Sequence, residues 1–166
     1  MDVSVVVLTW EDFERTQGCV RSLPDGVEVV VVDNGSAEAI GDKLRAMCAE
    51  TGATYVRSPV NLGYAKGMNL GVRHATRPVV VLSNNDIVVH PGAVERLAAR
   101  LADPAVGAAF PGVRGADGSD QTAAGRFLTI PVGLAHATGL SLLLRGLRIV
   151  ATPERGDWLS GPFVAI

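Results

Sequence analysis

Three apolar stretches, each halted by a cluster of side-chain oxygens, constrain this chain more than any other feature. Val3–Thr9 is rich in β-branched residues and ends on a hydroxyl; residues 27–32 are apolar apart from Glu28 and stop at Asp33-Asn34-Gly35-Ser36; residues 79–82 are closed by Asn84-Asn85-Asp86. Runs that are mostly apolar, rather than alternating, are the pattern of strands covered on both faces. Between them the period changes. Thr9-Trp10-Glu11-Asp12 has the outline of a capping box with Asp in the last place, which predicts a helix running to about Leu23, before the turn Pro24-Asp25-Gly26. Ile40, Leu44, Met47 and Cys48 recur at helical spacing. Thr54–Arg57 reads as a short strand and residues 63–75 as a helix. Pro91 stands near the first turn of another helix, whose apolar face is Val94, Leu97, Ala98 and Leu101. Residues 106–110 are expected to form a fifth strand.

Strand and helix thus alternate five times, which predicts an α/β fold with a mostly parallel central sheet flanked by helices. The alternation covers residues 1–110. Residues 111–126 are rich in glycine and small polar groups and read as a loop. Residues 128–150 are apolar but broken by Pro131, Gly133, His136, Arg145 and Arg148. A spanning helix needs about 20 largely uninterrupted apolar residues, so a packed or interfacial helix is expected there and no integral membrane span.

Composition removes several function classes. The chain has 166 residues, 48% of them hydrophobic, 19% charged and 5% aromatic, with a formal net charge of −2. A near-neutral surface gives no reason to expect a nucleic-acid partner, and few aromatics argue against base-stacking platforms. Cys19 and Cys48 are expected as buried reduced thiols, in keeping with a reducing, cytoplasmic setting. The chain starts on a strand-like run without a charged leader, so no signal peptide is expected. His74, His90 and His136 lack partners at metal-ligand spacing and are read as structural.

In open parallel sheets ligands bind beyond the carboxyl ends of the strands. Any one oxygen cluster could be turn chemistry, because Asp and Asn accept local backbone hydrogen bonds. Three on one sheet edge point to a ligand site. Two other nucleotide folds do not fit. A dinucleotide-dependent oxidoreductase needs Gly-x-Gly-x-x-Gly after its first strand, where this chain has Thr9-Trp10-Glu11. A nucleotidyltransferase usually carries a Gly-rich basic loop there.

The ordered set Val3-Ser4-Val5-Val6-Val7-Leu8-Thr9, Val30-Val31-Val32-Asp33-Asn34-Gly35-Ser36, Asn61-Leu62-Gly63 with Asn69, and Leu82-Ser83-Asn84-Asn85-Asp86 resembles the family 2 glycosyltransferases, which have the Rossmann-like GT-A fold. Trp158-Leu159-Ser160-Gly161-Pro162 is similar to an acceptor-side segment of that family. The resemblance leans towards bacterial rhamnosyltransferase-like members that build cell-surface polysaccharide. It implies a donor-binding region over 1–110 and an incomplete acceptor-side portion over 111–166, with Trp158, Ser160 and Gly161 on the acceptor side.

The same resemblance implies roles. Thr9 lines the nucleotide pocket through its backbone, and Asp33 accepts a charge-assisted hydrogen bond from the base, with uracil or thymine the natural fit. Asn61, Gly63, Lys66 and Asn69 lie on a loop entering a helix whose N-terminus faces phosphate. Asp33 as a turn former and Lys66 as a solvated surface lysine are the plain alternatives. Asn84-Asn85-Asp86 stands where the family often has Asp-x-Asp, which holds Mg²⁺ or Mn²⁺ against the pyrophosphate. Asn84 replaces the first acid and leaves Asp86 as the metal carboxylate, beside Asn84 and Asn85 as donor contacts. The implied reaction transfers a sugar from a UDP- or dTDP-linked donor to a hydroxyl with inversion. The acceptor would be a glycan or lipid-linked sugar, compatible with a peripheral place at the inner face of the membrane. In that family the base that removes the acceptor proton comes from an acidic segment downstream of the Trp-x-Ser-Gly stretch, so the resemblance implies a base beyond Ile166; Phe163-Val164-Ala165-Ile166 reads as a cut strand, and Asp157 is the nearest carboxylate within the chain. The rival from another class is a non-catalytic nucleotide-sugar-binding module that lacks this base.

Overall fold

The computed structural model describes residues 1–115, 117–121, 124–125, 158–159 and 162–166. The chain divides into two compact units, Met1–Ala109 with Pro162–Ile166, and Phe110–Gly161.

In the first unit the valine runs become strands β1 (Val3–Thr9), β2 (Glu28–Asp33), β3 (Thr54–Arg57) and β4 (Val79–Asn84). They alternate with helices α1 (Phe13–Ser22), α2 (Glu38–Thr51), α3 (Tyr64–Val72) and α4 (Ala93–Leu101). The second unit has two short antiparallel pairs, β5 (Val113–Arg114) with β6 (Asp120–Gln121), and β7 (Ala124–Gly125) with β8 (Trp158–Leu159). Strand β9 (Phe163–Ala165) returns to the first unit.

The main sheet runs β3-β2-β1-β4-β9, with the first four strands parallel and β9 antiparallel to β4. The mostly parallel α/β architecture therefore stands, with one change at its edge. Residues 106–110 form no strand; Ala109 makes only an isolated bridge to Ala165. Val-Gly-Ala-Ala-Phe has little β-branched surface to pack, and glycine weakens a strand interior. Phe163 takes the place beside β4 and buries its ring almost completely.

Both faces of the sheet are covered, which is why its strands are rich in valine and do not alternate between apolar and polar residues. On one face Val6, Val30, Val32 and Val56 pack with Met68 of α3. On the other, Val3, Val5, Val7 and Val81 pack with Cys19 of α1 and with Val94 and Leu97 of α4, while Val31 meets Leu44, Met47 and Cys48 of α2. Helix α3 sits tight on the sheet because two of its inward positions are glycine. A Cβ on Gly71 would stand 2.3 Å from Val6 Cγ1, and one on Gly67 would stand 2.6 Å from Leu8 Cδ1.

The start of α1 differs from the expected capping box. Thr9 is still a strand residue, paired with Asp33, and the N-cap is Asp12, whose Oδ1 accepts from Arg15 N–H at 3.1 Å. The two residues between them turn the chain, and Glu11 does so with φ +56. Cys19 and Cys48 are buried free thiols. Residues 128–150, with His136, lie outside the described residues. Among those that are described, no helix is long and apolar enough to cross a membrane.

Candidate functional site

The strand register decides which side chains meet at the carboxyl edge. Thr9 pairs with Asp33 and Asp33 with Arg57, while Leu8 pairs with Asn84. One row across that edge therefore carries Arg57, Asp33 and Thr9, with Asn85 one residue past the end of β4.

Asp33 is wholly buried, and its carboxylate already serves the chain. Oδ1 accepts from Ser36 N–H at 2.9 Å and Oδ2 from the Tyr55 hydroxyl at 2.7 Å, with Arg57 Nε 3.6 Å from Oδ2. The Ser36 bond is the turn-forming role. The Tyr55 and Arg57 contacts come from the next strand and exceed what a turn needs. An ionised carboxylate has about four acceptor positions; these three contacts take most of them, and none of the carboxylate is exposed in this structure. Burial, together with the Asp33 carboxylate, pushes the Tyr55 hydroxyl up to about 12, so it stays a donor. Arg57 also donates to Ser36 O at 2.8 Å and meets Glu38 at 3.3 Å. Hydrogen bonding with Tyr55 and the nearby Asp33 and Glu38 charges raise its pKa further. The guanidinium lies where a Cβ on Gly41 would be, so α2 opens with a small residue against it.

Asn34, the next residue, ties this edge to the loop before α3. Its amide nitrogen donates to Asn61 Oδ1 at 3.1 Å, and its carbonyl oxygen accepts from Leu62 N–H at 3.0 Å. Asn61 Oδ1 also accepts from Gly63 N–H at 2.8 Å. Gly63 has φ +77 and caps α3 without a side chain, so backbone N–H groups at that helix start are open to an anion. Lys66 and Asn69 are exposed on α3, one turn apart. Gly35 is required by the same junction: its φ is +83 and a Cβ there would stand 2.5 Å from the Val60 carbonyl carbon.

On the other side of β1 the three-residue turn splits its roles. Asn84 pairs its N–H with Pro162 O at 2.8 Å. Asn85 turns inward, with Nδ2 at 3.4 Å from Thr9 Oγ1 and 3.2 Å from Thr16 Oγ1. Asp86 is exposed. Thr9 is buried, and its backbone carbonyl accepts from Asn34 N–H at 2.9 Å, which joins the two loops through the backbone.

The structure thus brings Thr9, Asp33, Asn61, Gly63, Asn84, Asn85 and Asp86 to one edge, with Lys66 and Asn69 on the helix entered there. Trp158 lies in β8 of the second unit; Asp157, Ser160 and Gly161 fall outside the described residues. Sequence reasoning gave no role to Tyr55, Arg57 and Thr16, and named Asn34 only as part of a motif. Tyr55 and Arg57 stand two apart on β3, so they share a face, and that alternation was the available signal. Trp10, directly after β1, leaves 56% of its surface exposed beside this edge.

As a cation site the donor set is small. Asp86 offers one carboxylate and the neighbouring amides offer oxygens, all hard donors suited to Mg²⁺ or Mn²⁺. Among the described residues no cluster of three or more His, Cys, Asp and Glu side chains could hold a metal. The set fits a cation that arrives with substrate phosphates to complete its shell.

Comparison with known proteins adds lineage to this geometry. The sequence pattern described as Glycosyl transferase family 2 matches residues 4–140. A low-salt glycan biosynthesis hexosyltransferase of Haloferax volcanii is 27% identical over 100 residues, covering 58% of this chain and 31% of its own length. An N-acetylglucosaminyltransferase of Mesorhizobium japonicum is 28% identical over 116 residues, covering 65% of this chain and 27% of its own. The chain is thus matched to less than a third of the length of either relative. Among solved structures, a mannosyltransferase of Pyrobaculum calidifontis in complex with GDP-Man and Mn²⁺ superposes with a TM-score of 0.66 at 22% identity, over 99% of this chain and 44% of that one. The S. aureus protein TarS in complex with UDP-GlcNAc gives 0.62 at 19% identity, over 74% of this chain and 37% of that one.

Proposed function

Because the chain belongs to glycosyl transferase family 2 and has its GT-A fold, we propose that it forms the nucleotide-sugar-binding part of an inverting glycosyltransferase. The observation that supports this reading best is the continuous polar row Arg57–Asp33–Thr9–Asn85 on one sheet edge, flanked by the open start of α3 and by Asp86.

In this reading the base lies against the Thr9 backbone and reaches Asp33 once the side chains that cover its carboxylate shift, a partner that suits the imide N–H of uracil or thymine. The diphosphate sits between the start of α3, with Lys66 nearby, and the Asn84-Asn85-Asp86 turn. Asn61 and Gly63 shape the loop, and Asn69 faces the sugar side. Asp86 would hold Mg²⁺ or Mn²⁺, which when bound would offset charge on the departing diphosphate. Displacement at the anomeric carbon by an acceptor hydroxyl inverts its configuration. The proton goes to a carboxylate that this reading places outside the described residues, while Trp158, Ser160 and Gly161 border the acceptor. The donor sugar is a hexose or deoxyhexose such as rhamnose, and the acceptor a glycan or lipid-linked sugar of cell-surface polysaccharide. The work would be done in the cytoplasm, at the inner face of the membrane. The two curated relatives, a hexosyltransferase of glycan biosynthesis and an N-acetylglucosaminyltransferase, support sugar transfer of this kind.

A transfer assay tests the catalytic half of the reading. The protein is given UDP-, dTDP- and GDP-sugars with Mn²⁺ and a mixed pool of glycan acceptors, and release of nucleoside diphosphate is followed. Acceptor-dependent release from a UDP or dTDP donor, with an inverted product linkage, is expected. Tight donor binding without release would identify a binding module, and use of the GDP donor alone would overturn the base assignment.

A further inference from the structure

Thr16 is a fully buried hydroxyl on α1 that no motif singles out. It stands at the centre of a small polar knot. Its Oγ1 donates to the Asp12 carbonyl, lies 2.7 Å from Thr9 Oγ1 and receives Asn85 Nδ2 at 3.2 Å. Thr9 Oγ1 in turn lies 3.2 Å from the same Asp12 carbonyl and 3.4 Å from Asn85 Nδ2. The knot joins the loop after β1 to the loop after β4, the two segments that flank the candidate donor site.

Proton counting gives the knot a direction. Each hydroxyl has one proton, and both are directed within the Thr9–Thr16–Asp12 group. With the protons so placed, both oxygens accept from Asn85 Nδ2. That requires Asn85 to present its NH₂ inward and fixes the amide, whose two ends are otherwise interchangeable. The carbonyl Oδ1 is then turned away from the knot. Without the Thr16 hydroxyl the amide loses its nearer acceptor, and the reversed orientation becomes competitive.

Resting on the donor-site reading above, we propose that Thr16 is a positioning residue: it sets the polarity of the Asn85 amide so that an oxygen, not a nitrogen, faces the diphosphate and its cation. An amide nitrogen turned that way would oppose a cation and remove an oxygen from a donor set that has only one carboxylate.

The test is a double-mutant cycle read by calorimetric titration with UDP, dTDP and GDP, each with and without Mn²⁺, on Thr16→Val, Thr16→Ser, Asn85→Ala and the Thr16→Val/Asn85→Ala pair. Thermal melts of each variant report the fold. Thr16→Val keeps the side-chain shape and should lower nucleotide affinity in Mn²⁺ by roughly 3- to 10-fold, about the effect of one hydrogen bond. Thr16→Ser should stay within about twofold of the parent. In the Asn85→Ala background the Thr16→Val change should have almost no further effect, because Thr16 acts through Asn85. Equal losses in Thr16→Ser and Thr16→Val, additive losses in the double variant, or unchanged metal-enhanced binding in Thr16→Val would each overturn the proposal. Absence of nucleotide binding in the parent protein would overturn the donor-site reading itself, a result separate from any of these.

Discussion

Arg57 Nε stands 3.6 Å from Oδ2 of Asp33, on the neighbouring strand of the same sheet, and the carboxylate it faces has no exposed surface. Asp33 is therefore a structural anchor as well as a proposed base contact. Asp33→Ala leaves a largely buried guanidinium and the Tyr55 hydroxyl without their partner. The expected loss of stability is about 2–3 kcal/mol, since removing one member of a buried pair strands the other. Urea unfolding measures it. At temperatures well below the melting point the variant should also bind nucleotide more weakly with or without metal. Unchanged affinity would mean that Asp33 serves the fold alone.

Asp86 is the opposite case. It is exposed, so Asp86→Ala should alter stability by no more than about 0.5 kcal/mol. Its effect should fall on the Mn²⁺-dependent increment of nucleotide affinity, leaving the metal-independent part intact. Full retention of that increment would place the cation elsewhere.

Gly71 tests why α3 lies so close to the sheet. A methyl at this position would stand 2.3 Å from Val6 Cγ1 and 2.7 Å from Val32 Cγ2, both held in the core. Gly71→Ala should lower the melting temperature through overpacking worth about 1–3 kcal/mol, despite the better helix propensity of alanine. A melting temperature at or above the parent value would show that α3 can lift off without penalty.

The two thiols give a pH dependence. Burial pushes Cys19 and Cys48 from 9.0 up to about 11. The folded state then holds these protons more tightly than the unfolded chain, so stability is fully present below about pH 9 and falls as pH rises towards about 11. Urea midpoints at pH 8 and pH 10 should show the fall, and Cys48→Ala should reduce its slope. Rapid reaction of both thiols with a disulfide reagent in the native protein at pH 8 would contradict the burial on which this rests.

The fold was readable where a strand is buried on both faces, because valine runs such as 29–32 carry their own signal. It was misread where a partner distant in sequence decides the outcome. Residues 106–110 lost the sheet edge to Phe163, some fifty residues later, a competition no local pattern expresses. The α1 cap moved from Thr9 to Asp12 because Thr9 is held in the strand by pairing with Asp33, a long-range register. The same limit applied at the site. The oxygen clusters ending β1, β2 and β4 were legible, since each is a contiguous motif. Tyr55, Arg57 and Thr16 reach those clusters only through cross-strand and helix–loop contacts. Asn34 lay within a motif, yet its clamp on Asn61 and Leu62 depends on how closely two loops approach.

The central claim is that this sheet edge binds a nucleoside diphosphate with a divalent cation. Calorimetric titration of the protein with UDP and dTDP, each with and without Mn²⁺, tests it most directly. Binding of either nucleotide that strengthens in Mn²⁺ is the predicted result. No binding of either nucleotide under any condition would contradict the account.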